Sequence, residues 1–585
     1  MNLNTLVCCN GKQALWWNKT IVYEIYVQTF FDSNGDGIGD LNGVASKLDY
    51  LKDLGIGCIW LSPIFETPYF DCCYDCSDFY NINPDFGTLD DFKNLLEQAH
   101  LRGIKVIIDL VLTYTSDKHP WFIEACKSRD NKYHDYYIFA EGKAGKAPNN
   151  KICFLTTESA WEYNAPTDDF FFHFWPKEQV HLNWENPEVQ REMFEVARYW
   201  LEIGVDGYRL DAINALMPIK DLAGDPVDEE GKVIFWRPEY WQIHFFMKQL
   251  RRIMDQYPDG LLLGEVFPGG TAQTVEYYGK DDEFNLVFNF TYLHTIKSYC
   301  GDNFGWATLF DTAHYDAKAE SMANKLRSML KLEDSVCSAY QYWPTVVLGN
   351  HDQPRIASVL KGLCKDDVTA HKMVKWGAVY TLCLKGTPFI YNGEEIGMES
   401  WRIPQVELYM DKQGLVYYNN CLAQGYSKGK TEKILGMITR DNCRTPMQWN
   451  SDKNAGFSTA DSTWLPVAPS YFQLNVAEQE ANPNSTWHFY KKLAEFRNRN
   501  SALQCGNYIW VDQANPDYLA FLRESADHAV LVILSCTEKR IPIALHNERI
   551  PEGKKAELFM SSYGNGSALE TGFLQPFEAC IYLLE

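Results

Sequence analysis

The chain reads as an α/β protein: a closed (β/α)8 barrel, interrupted after its third strand and followed by an all-β C-terminal domain. Three observations lead there. Apolar strand-like runs alternate with amphipathic helical runs from about residue 21 to residue 500, the pattern of parallel strands joined by crossover helices. Eight such strand starts are counted, and eight strand and helix units close on themselves with reacting groups at the C-terminal ends of the strands. Beyond residue 503 strand-like runs continue without helices between them.

In order, Ile21 to Phe30 has the β-branched and aromatic content of a buried strand. Asp32, Asn34, Asp36, Ile38 and Asp40 then alternate with small residues. Oxygen donors spaced in this way let a short loop curl around one hard cation, and the loop lacks the distal Glu of an EF-hand. A helix over Asn42 to Leu54 leads to the strand Cys58 to Pro63 and to a loop, Phe65 to Tyr80, that carries Asp71, Tyr74, Asp75 and Asp78. The helix Leu89 to Gly103 precedes the strand Lys105 to Leu112, which holds Asp109. From Thr115 to Pro187 no period is sustained, and a stretch this long inside a compact fold is a functional loop or a small subdomain. Helices over Glu188 to Ile203 and Trp241 to Gln256 alternate with strands at Val205 to Asp211 and Leu261 to Glu265. Further strands follow at Leu286 to Phe290, Thr345 to Asp352 and Pro388 to Gly393, and Trp487 to Asn500 is the last long helix. The expected division is residues 1–114 and 188–502 for the barrel, 115–187 for the inserted domain, and 503–585 for the C-terminal domain.

Composition narrows the partners. A formal charge of −23 argues against nucleic acid or an anionic membrane surface, and 15% aromatic residues suit a protein that stacks flat apolar faces such as sugars. The expected partner is a small neutral substrate, bound by a monomer or weak homo-oligomer. Residues 1–17 lack the regions of a secretory signal, and no apolar run approaches the roughly 18 residues that span a bilayer. Seventeen cysteines scattered along a chain with a large core read as thiols of a cytoplasmic protein. Cys72 and Cys76 have no matching His or Cys pair nearby in sequence.

The chemistry gathers at Gly204 to Ala212. Residues two apart on a strand share a face, so Arg209 and Asp211 stand side by side, and the guanidinium favours an ionised Asp211. An isolated Arg-x-Asp is more often a structural ion pair at a strand end. Here, however, Glu265 and Asp352 lie at the ends of two other strands. Glu265 follows Leu-Leu-Leu-Gly, an apolar approach that raises a carboxyl pKa. An ionised Asp with a protonatable Glu is the pairing glycoside hydrolysis uses, the two carboxyls standing about 5–5.5 Å apart when configuration is retained.

Together, Asp109-Leu-Val, Gly207-Tyr-Arg209-Leu-Asp211, Gly264-Glu265-Val and Gly349-Asn-His351-Asp352-Gln resemble the four ordered signature regions of the α-amylase family of retaining glycosidases. The likeness runs from Trp16 into the C-terminal domain. It implies an inserted B domain, a C-terminal β-sandwich, Asp211 as nucleophile, Glu265 as acid/base and Asp352 as transition-state stabiliser, supported by Arg209 and His351. Within the family the chain is most similar to the oligo-1,6-glucosidase, maltase and trehalose-phosphate hydrolase group. That group shares the Asp32 to Asp40 loop as a calcium or magnesium site, and the run Arg440 to Trp449. The resemblance implies a structural Ca2+ or Mg2+ held by Asp32, Asn34, Asp36, Ile38 and Asp40. It also implies that Asp75 and Arg444 pair at a closed pocket floor, and hence that an exo-acting enzyme releases glucose from short α-glucosides. Ala212 looks more like the α-1,4-preferring members.

Two positions depart from the family. Tyr114 stands where the family has the histidine that contacts the sugar C6 hydroxyl, which implies either a substrate whose C6 group is modified or absent or a re-cut site. His181 lies in Gln179-Val-His181-Leu-Asn183, where relatives often have Pro-Asp before Leu-Asn. Two other readings share the scaffold: a transglycosylase or sucrose isomerase, and a non-catalytic partner of amino-acid transporters. The latter carries a membrane span and tends to lose the acids; this chain lacks the span and keeps the acids.

Overall fold

The computed structural model describes residues 8, 12–154, 158–216, 223–234, 240–266, 271–300, 320–512, 514–545, 556–564, 566 and 568–584. Its centre is an eight-stranded sheet built from β1 (Val22–Ile25), β2 (Cys58–Leu61), β3 (Lys105–Leu110) and β4 (Gly207–Leu210), with β5 (Leu261–Gly264), β6 (Leu286–Val287), β7 (Thr345–Val347) and β8 (Thr387–Tyr391). All neighbours are parallel, in the order β6-β5-β4-β3-β2-β1-β8-β7. The ladder stops between β6 and β7, where a side chain continues the seam: Thr345 Oγ1 donates to the Val287 carbonyl (3.0 Å) and accepts from Asn289 N–H (3.2 Å).

Strand alternation sorts the core into two shells. Val22, Cys58, Trp60, Ile107, Leu263, Phe288 and Phe389 form one cluster inside the barrel. Tyr23, Ile25, Ile59, Leu61, Ile108, Tyr208 and Leu262 belong to the larger cluster under the helices. Burial on both faces explains why these strands read as continuous apolar runs. The helix Pro187–Ile203 shows how the connections are specified. Asn186 Oδ1 accepts from Glu188 N–H, proline fills the first turn, and Gly204 ends it at φ 117°.

Local differences have physical causes. The helix expected over 42–54 is two, Leu41–Ser46 and Leu48–Leu54, broken at Lys47. The strand expected over 286–290 is Leu286–Val287, because Asn289 turns its side chain to Thr271, Glu333 and Thr291. The insertion is more regular than its sequence. Tyr114–Ser116 pairs with Gln179–His181, and Phe139–Ala140, Trp161–Asn164 and Asp169–Phe172 form a three-stranded antiparallel sheet. Strands of two to four residues are too short to display a period.

The C-terminal domain is a five-stranded antiparallel sheet in which Asn507–Trp510, Tyr518–Glu524, Ala529–Ser535, Ala579–Leu584 and Ala556–Ser561 lie in that order. Leu519, Phe521, Val530 and Val532 face the barrel cluster, while Tyr518, Ala520, Leu531 and Ile533 pack under the two-stranded ribbon Ile541–Pro542 and Phe573–Leu574. Among the described residues no helix is long and apolar enough to cross a membrane.

Candidate active site

The C-terminal ends of β3, β4, β5 and β7 deliver Asp109, Asp211, Glu265 and Asp352 to one place. One guanidinium organises them. Arg209 Nη1 lies 2.5 Å from Asp109 Oδ1 and 2.8 Å from Asp211 Oδ1, and Nη2 lies 2.5 Å from Glu265 Oε2. Asp211 and Glu265 thus stand on either side of a single buried guanidinium. After Asp211 the backbone turns through Ala212 at φ 36°, and that turn aims the Ala212 N–H at Glu265 Oε2 (3.1 Å). Tyr114 donates from its hydroxyl to Asp211 Oδ2 (3.1 Å).

Burial pushes Asp211 up to about 7; Arg209 pulls it back and Glu265 pushes it further. Glu265 is raised as well, first by burial. The expectation of a permanently ionised Asp211 is therefore corrected: one guanidinium shared among three acids does not replace lost solvation. Asp352 differs. Burial alone would raise it, yet its surroundings hold it well below the usual carboxylate range. Burial keeps His351 itself neutral, so the cations that count are Arg440 and Arg444. Arg444 Nη2 lies 2.7 Å from Asp352 Oδ1, and Arg440 Nη1 lies 3.4 Å from it.

His351 is fixed from both sides. Its Nδ1 is 2.5 Å from Glu24 Oε1, its Nε2 is 2.8 Å from the Tyr74 hydroxyl, and the rings of Tyr26 and Tyr74 stack on it. The Tyr74 hydroxyl also touches Asp109 Oδ2 and Arg209 Nη1, each at 3.3 Å, while Trp60 Nε1 donates to Asp109 Oδ2 at 2.8 Å. Glu24, Trp60 and Tyr74 thereby join the site, which sequence reasoning did not assign. Their positions on β1, on β2 and in the loop after β2 were the available signal.

The pocket floor departs from expectation. Asp75 and Arg444 do not pair. Asp75 accepts from Thr67 Oγ1, Phe70 N–H and Asp71 N–H, and burial pushes it up to about 7. Asp71, not Asp75, meets an arginine of the run Arg440 to Trp449: its Oδ1 is 2.6 Å from Arg440 Nη2, and its Oδ2 accepts from Gln179 (3.0 Å) and Gln413 (2.7 Å). Asp411 completes the set, 2.7 Å from Arg440 Nη2. A cavity of about 540 Å³ opens on Asp352 and Arg440, walled by Gln353, Arg402 and Met437. His181 packs against Tyr114, Phe172 and Phe174 and reaches the Ala215 carbonyl at 3.3 Å.

The Asp32 to Asp40 loop lies apart from these acids. Asp32 accepts from the N–H groups of Asn34, Gly35 and Gly37 and from Ser458 Oγ, and Asp40 caps the next helix through Gly43 N–H. By donor chemistry, carboxylates and an amide, the loop suits a hard cation. Among the described residues no group of three or more His, Cys, Asp or Glu side chains converges on a metal position, the Cys72 and Cys76 cluster included.

An eight-stranded parallel barrel carrying a shared Asp and Glu pair at its C-terminal face defines a glycoside hydrolase scaffold. The model of the alpha amylase catalytic domain matches residues 24–506, and the chain belongs to that family. It is 38% identical to an oligo-1,6-glucosidase of Parageobacillus thermoglucosidasius, over 97% of this chain and 99% of that protein. It is 35% identical to a glucan 1,6-alpha-glucosidase of Streptococcus pneumoniae, over 98% of this chain and 100% of that protein. Among solved structures, trehalose-6-phosphate hydrolase of Bacillus licheniformis superposes with a TM-score of 0.84 at 32% identity, covering 98% of this chain and all of that one. The protein is a glycoside hydrolase of the α-glucosidase type.

Proposed function

We propose that this enzyme is a retaining, exo-acting α-glucosidase that removes terminal α-linked glucose from short oligosaccharides or α-glucosides. The observation that carries the reading is the Arg209 bridge between Asp211 and Glu265. In the first step the ionised Asp211 attacks the anomeric carbon while Glu265 gives its proton to the departing oxygen. In the second, Glu265 takes a proton from water, the hydroxide adds to the anomeric carbon, and Asp211 is released. Asp352, kept ionised by Arg440 and Arg444, offers a fixed anion to ring hydroxyls. Arg440 and Asp71, backed by Gln179 and Gln413, supply a charged floor for the non-reducing end of the sugar, which supports attack from the chain terminus.

The test is product stereochemistry on p-nitrophenyl α-glucoside, followed by NMR. Release of the α-anomer first is the expected result, together with a 5-fluoroglucosyl adduct on Asp211 when the enzyme is separately incubated with 5-fluoro-α-glucosyl fluoride; β-glucose, or no turnover across a panel of α-glycosides, overturns the proposal. Relative rates on maltose and isomaltose read the linkage, on which Ala212 and the names of the relatives point in opposite directions. A second reading, transfer to sugar instead of water, is favoured by likeness to an isomaltulose synthase of Erwinia rhapontici (TM-score 0.84, 28% identity, 98% of this chain and 99% of that one). Concentrated sucrose yielding an isomeric disaccharide in place of free glucose and fructose would establish it.

We also propose that the Asp32 to Asp40 loop takes a structural Ca2+ or Mg2+ through Asp32, Asn34, Asp36, Asp40 and the Ile38 carbonyl. Chelation is expected to lower the melting temperature and leave kcat within about twofold, since the loop touches none of the reacting groups. An identical melting temperature with chelator and with added cation removes the site. The cysteine content supports a cytoplasmic setting.

A further inference from the structure

The end of the barrel opposite the acids holds a pair of thiols that the reaction does not use. Cys8 and Cys505 lie 497 positions apart in sequence, yet their sulfurs are 2.9 Å apart, with the residues 4% and 2% exposed. Both belong to the apolar cluster that fills the barrel, with Trp17, Val22, Cys58 and Leu261. Cys8 N–H donates to the Lys12 carbonyl, and the short helix Trp16–Lys19 carries the chain into β1. Cys505 ends the helix Ser501–Cys505, the last element before the C-terminal sheet. The pair therefore sits where the start of the chain meets the junction of barrel and C-terminal domain.

We propose that Cys8 and Cys505 are an oxidisable dithiol, joined as a disulfide by exchange with a low-molecular-weight disulfide. Three features support this. The two sulfurs are already in contact, so bond formation needs a displacement of under about 1 Å to reach disulfide length. A cavity of about 110 Å³ is lined by Cys8, by Asn18 and by the partly exposed Lys12 and Asp281 pair. Two buried guanidiniums are held on backbone close to Cys505 in sequence, Arg497 on Leu503 O (2.9 Å) and Arg523 on Gly506 O (3.0 Å). The hydrogen bond from Cys8, followed by these guanidiniums and Lys19, holds the Cys505 thiol below its usual range, against burial.

The exchange balances. One protein thiolate attacks a sulfur of the small disulfide and releases one thiolate, giving a mixed disulfide. The second protein thiol loses its proton and attacks the first protein sulfur, releasing the other small thiol. The protein loses two protons and two electrons, and one small disulfide becomes two thiols. The link would close nearly the whole chain into a ring, restricting the unfolded state while leaving the acids at the far end of the barrel untouched.

The test exposes the folded, full-length enzyme to oxidised glutathione, alkylates the remaining thiols under denaturing conditions, and maps peptides without reduction. The expected result is a cross-linked peptide joining residues 8 and 505, absent from Cys8→Ser and Cys505→Ser and retained in Cys9→Ser. The oxidised form should melt higher than the reduced form, with kcat/KM equal within about twofold. Both cysteines recovered alkylated, a glutathione adduct that never resolves, or a link that disappears only in Cys9→Ser would each overturn the assignment.

Discussion

Both oxygens of Asp211 carry a donor, Arg209 Nη1 on Oδ1 and the Tyr114 hydroxyl on Oδ2. A hydrogen bond donated to a carboxylate favours its ionised form, so Tyr114 opposes the burial that pushes Asp211 up. Removing the hydroxyl in Tyr114→Phe should raise the Asp211 pKa and move the acid limb of the kcat/KM profile to higher pH by about one unit, the scale of one charge-assisted hydrogen bond. An unmoved limb would show that Tyr114 does not tune the nucleophile. The phenol also occupies space beside Asp211, so Tyr114→His is expected to change the relative rates on aryl α-glycosides that differ at C6. Asp211→Asn keeps the shape of the side chain and removes the charge. Its activity should fall by about 10⁴-fold or more with an unchanged circular dichroism spectrum, and substantial residual turnover would contradict the assigned role.

The loop after β2 shows what an element contributes beyond its residues, since it decides which of two aspartates reaches the site. Cys72 and Cys73 both adopt left-handed backbone, φ 49° and 75°, and between Asp71 and Asp75 they reverse the chain. Asp71 thereby meets Arg440 while Asp75 turns back to bind its own loop. Asp71→Asn is expected to raise KM at least tenfold with a smaller loss in kcat, because in the proposed function the pair holds the sugar away from the bond that breaks. A kcat loss with unchanged KM would place Asp71 in the chemistry instead. The same loop marks the limit of the sequence. Barrel strands were legible because double burial makes them apolar runs, and Asp211, Glu265 and Asp352 were legible because each ends such a run. The Asp71 and Arg440 contact spans 369 positions, and two aspartates four apart in one loop carry no mark of which one faces inward. Glu24 and Tyr74 received no role from the sequence for a related reason: their partner, His351, arrives from a distant strand.

At the scale of the whole molecule, the charge of −23 conceals acids that folding keeps from ionising. Glu394 follows β8, accepts from the Tyr490 hydroxyl (2.9 Å) and lies beside Glu395, which accepts from Tyr23 and Tyr50. Burial, with Glu395 adding to it, pushes Glu394 up to about 8, and burial pushes Glu333 up to about 7. In the unfolded chain each would titrate near about 4.3. Between that value and the folded one, the folded state binds more protons than the unfolded state, so stability falls as pH rises through this window. Asp352 and Asp411 act in the opposite sense: their folded values are depressed, and their contribution is lost as pH falls below about 4. The melting temperature should therefore peak on the acid side of neutrality and decline from about pH 5 to pH 8. Glu394→Gln replaces the buried acid by an amide that cannot ionise, so its melting curve should decline less steeply over the same interval at constant ionic strength. Parallel slopes for the two proteins would mean that Glu394 is ionised in the folded enzyme, and that the cluster around Tyr23, Tyr50 and Tyr490 is held by charge and not by a shared proton.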